Sequence, residues 1–176
     1  MSRAPSIVGV CGNPAPESKT LTLTTEVVAE IAARLPGSTT EVVDLSSYGG
    51  KVLAWGDPDT EAARATVRAA DLVVVATPVY KGAYTGLLKG FLDGYGAGEL
   101  RPCLAVPLTI AASPAHALAG PTHLEPVLRE VGCLTPAGTL HVPDQVAADP
   151  EARSARVRSW LDDHWSLLGT IAQVGA

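Results

Sequence analysis

The segment Leu-Val-Val-Val-Ala, residues 72–76, is apolar at every position. A strand with one wet face alternates apolar and polar residues; an unbroken run is buried on both faces. Ser-Ile-Val-Gly-Val-Cys, residues 6–11, has the same character. Strands covered on both sides belong to parallel sheets whose crossover helices lie on both faces. The rest of the chain agrees. Leu23, Val27, Ile31 and Leu35 recur every four residues, and Pro36-Gly37 ends that helix. Residues 41–45 read as a strand, 46–58 as irregular with Trp55 packing it down, and 60–70 as a helix. The run at 71–76 is the central strand. Residues 84–93 form a helix with Leu87, Leu88, Phe91 and Leu92 inward, and 103–108 a fourth strand. Residues 116–131 have helical periodicity despite Pro121 and Pro126. A short strand at 139–142 precedes a closing helix at 151–173 carrying Trp160, Leu161, Trp165 and Leu168.

This order alternates strand and helix five times in 176 residues, the size of one domain. It predicts an α/β flavodoxin-like three-layer sandwich: a five-stranded parallel sheet with helices on both faces. No linker or repeat divides the chain, so residues 1–176 are expected to form one domain. In such sheets ligands bind beyond the carboxyl ends of the strands, at the switch point between the first and third. Three loops then matter: residues 12–20, 77–84 and 109–116.

The net charge of −5 and the lack of basic clusters argue against nucleic acid. The apolar runs are too short to span a bilayer, and the first residues lack a secretory pattern. Cys11, Cys103 and Cys133 make no metal-binding spacing and read as buried, reduced thiols of a cytoplasmic protein. No metal is expected.

In the first loop, Ser18, Lys19 and Thr20 stand at a helix start. Hydroxyls, free N–H groups and a positive charge suit a phosphate there; a simple helix cap uses the same residue types. The loop is neither G-x-G-x-x-G nor a P-loop. In the second, Pro78 stiffens the strand exit and Gly82 and Gly86 permit close backbone approach. Tyr80 offers an aromatic face and Lys81 a charge. A flat heteroaromatic ring on this backbone accounts for the pattern; so does a tight turn with Tyr80 and Tyr84 as half-buried packing. In the third, Thr109 and Ser113 can bond a ligand edge, and His116 reads as a packed or surface residue.

The segments GNPAPESKT, VVVATPVYKGAYTGLLKGFLD, PLTIAASPAHAL and LEPVLREVG occur in this order over most of the chain. They resemble the NADPH-dependent FMN reductases, and most of all the reductase components of two-component alkanesulfonate monooxygenase systems. The resemblance implies that Ser18, Lys19 and Thr20 hold the FMN phosphate, with Asn13 where the family usually has Ser and Ala15 where it usually has Arg. It implies that Pro78, Val79, Tyr80 and Lys81 lie against the isoalloxazine. Ala111-Ala112 stand where the family often has Gly-Gly, beside another edge of the flavin. It further implies hydride transfer from NADPH to FMN with no acid–base residue, and delivery of reduced FMN to a partner FMN-dependent monooxygenase. A homodimer or homotetramer is implied too, with a π-type insertion in the helix after His116. Pro121 favours such a bulge, and His123 takes the place of an aromatic residue. Two other readings stay open: a quinone or azo reductase with tightly held FMN, and a non-enzymatic flavodoxin-like electron carrier or degenerate interaction subunit.

Overall fold

The computed structural model describes residues 3–169. Its six strands are β1 (Ser6–Cys11), β2 (Thr39–Asp44), β3 (Leu72–Pro78), β4 (Cys103–Ala111), β5 (Cys133–Leu134) and β6 (Leu140–Pro143). All pairings are parallel, in the order β2-β1-β3-β4-β5, with β6 also on β4. The fifth position is therefore shared. β5 pairs with the start of β4 (Cys103↔Cys133) and β6 with its end (Ala111↔Pro143). The sequence expectation of five strands holds for sheet positions. It missed β5, because two residues carry no periodicity.

The helices are α1 (Lys19–Ala33), α2 (Pro58–Arg68), α3 (Gly86–Leu92), α4 (Glu125–Glu130), α5 (Asp144–Ala148) and α6 (Pro150–Leu168). Every residue of β3 is buried. On one face Ile7, Val74 and Leu108 meet Val27 and Ile31 of α1 and Trp160 and Leu161 of α6. On the other, Val8, Val73 and Val75 meet Val67 of α2, Phe91 of α3 and Leu128 of α4. This is the three-layer sandwich that the unbroken apolar strands require. α1 packs so closely that a Cβ on Gly9 would lie 2.8 Å from Thr24 Cγ2.

Several boundaries moved. β3 and β4 run on through Pro78 and Ala111, because β3 pairs with β4 as far as Ile110 and Ala111 pairs with Pro143 of β6, which extends the ladder beyond the apolar run. The irregular segment after β2 contains two short 3₁₀ turns, and Trp55 is 81% exposed rather than packed. The stretch 116–131 is not one helix. A 3₁₀ turn (Pro114–His116) leads to a π turn (Gly120–Leu124) and then α4. The π turn falls where Pro121 removes an N–H, as the sequence suggested, and Glu125 N–H reaches back to the Gly120 carbonyl. A Cβ on Gly120 would lie 2.3 Å from Thr139 Cγ2, so only glycine fits there. The closing helix follows the expectation to Leu168; the expected extension to residue 173 lies outside the described residues. The three cysteines are free and buried. Among the described residues no helix is long and apolar enough to cross a membrane.

Candidate functional site

Beyond the carboxyl ends of β1, β3 and β4 lies a cleft of about 330 Å³. That is within the ~300–1,000 Å³ typical of small-molecule sites. Asn13, Ser18, Lys19 and Thr20 form one end, and Pro78, Val79 and Tyr80 another. Ile110, Ala112 and Asp144 complete it. A larger cavity of about 610 Å³ adjoins, sharing Ala112 and Asp144 and bounded by Ala111, Pro114 and His141.

The first loop is held from within. Ser18 caps α1, its Oγ accepting from Leu21 N–H at 3.1 Å. Asn13 Nδ2 donates to Thr20 Oγ1 at 3.0 Å, and Asn13 Oδ1 accepts from Ala15 N–H at 2.9 Å. Asn13 and Thr20 are buried and use these groups to fold the loop. The first-turn N–H groups of Lys19 and Thr20 lie ahead of the helical ladder. Lys19 projects its ammonium across the cleft to Asp144 Oδ1, 2.5 Å away. Burial raises the Cys11 thiol pKa; its Sγ lies 3.9 Å from Ser18 Oγ.

The second loop is a tight two-residue turn. Tyr80 and Ala83 exchange backbone bonds at 2.9 and 3.2 Å. Both central residues are left-handed, Lys81 at φ 54° and Gly82 at φ 83°. Gly82 is thus needed for its positive φ. Val79 N–H is bonded to the Ile110 carbonyl at 2.8 Å, tying this loop to β4. The half-exposed ring of Tyr80 faces the cleft, while Tyr84 packs half-buried on the α2–α4 core. Thr85 joins the two loops, its Oγ1 donating to the Gly12 carbonyl at 2.5 Å. Among the described non-glycine residues, only Glu17 (φ 52°) and Lys81 have positive φ, and each lies in one of these two loops. Strained backbone of this kind clusters at ligand-binding sites.

Of the sequence candidates, Asn13, Ser18, Lys19, Thr20, Pro78, Val79 and Tyr80 are brought together. Ala111 lines the adjoining cavity, and Ala112 is the wall between the two, leaving both open. Lys81, Thr109 and Ser113 line neither. Lys81 is exposed at the turn. Thr109 is buried, its Oγ1 bonded to His141 Nδ1 at 3.1 Å. Ser113 caps the 3₁₀ turn after β4, accepting from Ala115 N–H. Burial and then the Arg156 charge hold the His141 pKa below its ordinary value. Ile110 and Asp144 are the lining residues that sequence reasoning did not name; Ile110 lies within the third loop, and the only signal for Asp144 was its place directly after the last strand. Among the described residues no group of three or more His, Cys, Asp or Glu can hold a metal ion.

Residues 5–147 match the family described as NADPH-dependent FMN reductase. The chain belongs to the NADPH-dependent FMN reductase family. It is 30% identical to the NADH-dependent FMN reductase SfnF of Pseudomonas fluorescens (strain Pf0-1), over 97% of this chain and 95% of that protein. It is 32% identical to the NADH-dependent FMN reductase SfnE of Pseudomonas putida, over 90% and 89%. The crystal structure of an NADH:FMN oxidoreductase (EmoB) in its apo form superposes with a TM-score of 0.78 at 29% identity, covering 89% of this chain and 88% of that one. As a member of this FMN reductase family the protein is an oxidoreductase of FMN and NAD(P)H, and its sheet and flanking helices are those of the flavodoxin-like fold.

The cleft fits a flavin mononucleotide. One end offers a cation and the head of a 15-residue helix; the other offers Pro78, Val79 and the face of Tyr80. The phosphate and ring of such a ligand need those two different surfaces.

Proposed function

We propose that this protein binds FMN in the cleft between β1, β3 and β4, reduces it with NAD(P)H, and hands the reduced flavin to a separate monooxygenase. The observation that carries the reading is the joining of Ser18, Lys19 and Thr20 to Pro78, Val79 and Tyr80 in one cleft, in a chain of this family.

When bound, a flavin would supply the redox chemistry, that of a hydride acceptor for nicotinamide. The chain's residues bind and orient. Lys19 and the first N–H groups of α1 hold the phosphate, with Ser18 keeping that helix start in shape. Pro78, Val79 and Tyr80 form the floor for the ring, and the Lys81-Gly82 turn fixes the angle of Tyr80. Ala112 stands at the opposite wall. Asp144, the lining's one carboxylate, is paired to Lys19. No acid–base side chain is assigned, because hydride transfer needs apposition of two rings rather than proton movement at the protein.

Two relatives covering most of the chain are NADH-dependent by name, so NADH is the nucleotide to test beside NADPH. A second copy is expected to cover the groove between α3 and α4, where Leu92, Pro126, Val127 and Val131 lie beside Lys89, Asp93 and Glu130. A cytoplasmic setting is the reading that free buried thiols and a nicotinamide substrate support.

The test mixes the protein with NADH or NADPH and free FMN and follows loss of nicotinamide absorbance. Turnover should require added FMN, which separates this reading from a reductase that keeps its flavin through purification. No oxidation of either nucleotide with FMN or a quinone would refute the enzyme reading. Lys19→Ala should weaken FMN about tenfold and leave riboflavin within about twofold. Equal effects on both would refute the phosphate assignment.

A further inference from the structure

Lys19, the one cation among the described residues that line the cleft, already has an anionic partner within the chain. Lys19 opens α1 and Asp144 opens α5, 125 residues later, yet Nζ and Oδ1 are 2.5 Å apart. Both side chains line the flavin cleft, and each is about half exposed, 47% and 42%. Among the described residues the lining holds no other basic side chain, and Ala15 adds none to the loop. Its formal charge is therefore zero where a phosphate monoester of about −1.5 to −2 must sit. The remaining polar groups, the first N–H groups of α1 and the hydroxyls of Ser18 and Thr20, can donate hydrogen bonds but carry no formal charge.

We propose that Asp144 is a specificity-determining residue of the flavin site: its carboxylate competes with the FMN phosphate for Lys19 and keeps the site's preference for phosphorylated flavin low. This rests on the phosphate placement proposed above. The physics is an exchange of anions at one ammonium. An exposed ion pair is only weakly stabilising, so Asp144 cannot lock the cleft. A more highly charged phosphate displaces it, then keeps a carboxylate as a close neighbour while bound. Repulsion at that distance favours departure. A flavin held in this way exchanges, as delivery to another protein requires. Asp144 lies at the boundary with the adjoining cavity, so its carboxylate can swing away from Lys19 without disturbing the core.

The test is flavin binding by fluorescence quenching, with FMN and riboflavin measured side by side on wild type, Asp144→Asn, Asp144→Ser and Lys19→Ala. Asp144→Asn should tighten FMN at least about fivefold and leave riboflavin within about twofold. The gain should shrink in 0.5 M salt and should appear in stopped flow mainly as slower FMN dissociation. Asp144→Ser repeats the measurement without an amide. A purely structural role for Asp144 at the start of α5 would move both flavins together, and that result overturns the proposal. So does unchanged FMN affinity in both Asp144 variants while Lys19→Ala still weakens FMN selectively; the phosphate cradle would then stand without Asp144. If Lys19→Ala fails to separate FMN from riboflavin, the phosphate placement falls and this proposal falls with it.

Discussion

Thr85→Val removes polar contacts while keeping volume and β-branching. Thr85 is 3% exposed. Its Oγ1 caps α3, accepting from Leu88 N–H at 3.2 Å, and donates to the Gly12 carbonyl at 2.5 Å. Its own N–H donates to Thr77 Oγ1, a contact valine keeps. Losing a helix cap costs about 1 kcal/mol. Depriving a buried carbonyl of its donor costs a further ~1–3 kcal/mol. The sum is about 2–4 kcal/mol, a fall in Tm of about 4–16 °C for a chain of this length. Urea unfolding of wild type, Thr85→Val and Thr85→Ser gives the answer, provided the m values agree. Serine retains the hydroxyl and should stay within about 1 kcal/mol of wild type. Because the same hydroxyl ties the end of β1 to the head of α3, the valine variant should also bind FMN more weakly. A valine variant within about 0.5 kcal/mol of wild type would refute the account of how the two loops are joined.

Arg64 is 2% exposed and donates to the carbonyls of Val52, Gly90 and Phe91 while pairing with Glu61. Arg64→Met should cost at least about 3 kcal/mol in urea unfolding, whereas Lys51→Met, which breaks the exposed pair with Asp59, should cost under about 1 kcal/mol. His141 has a folded-state pKa below its ordinary value, through burial and the Arg156 charge. The unfolded chain therefore takes up a proton near pH 6.5 that the folded chain resists, so stability falls as pH drops through 6.5 toward the folded value. His141→Asn should lose less stability than wild type between pH 7 and pH 5, measured as the shift in thermal midpoint. Equal shifts would show that another group sets the slope.

The layout of the sheet was legible because burial on two faces leaves an unmistakable pattern. Residues 6–11 and 72–76 have almost nowhere to be except inside a parallel sheet. The loops after β1 and β3 were legible because helix starts and tight turns impose chemistry on neighbours: Ser18 caps α1, and Gly82 supplies a left-handed residue. Where structure depends on a distant partner, local pattern gave no signal. β5 exists because Cys133 and Leu134 find β4. Trp55 looked like a core residue by type, but its turn leaves it at the surface. Thr109 looked available to a ligand until the neighbouring strand placed His141 against its hydroxyl.

The sequence by itself determined the layers, the end of the sheet that opens, and the loops that meet there, since each follows from contacts between near neighbours or from apolar periodicity. Only tertiary structure decided the charge of the cleft. Lys19 reads as a free cation along the chain and becomes half of an ion pair when β6 delivers Asp144 beside it. Coulomb energy depends on distance in space, and 125 residues of separation carry no information about that distance until the sheet is formed.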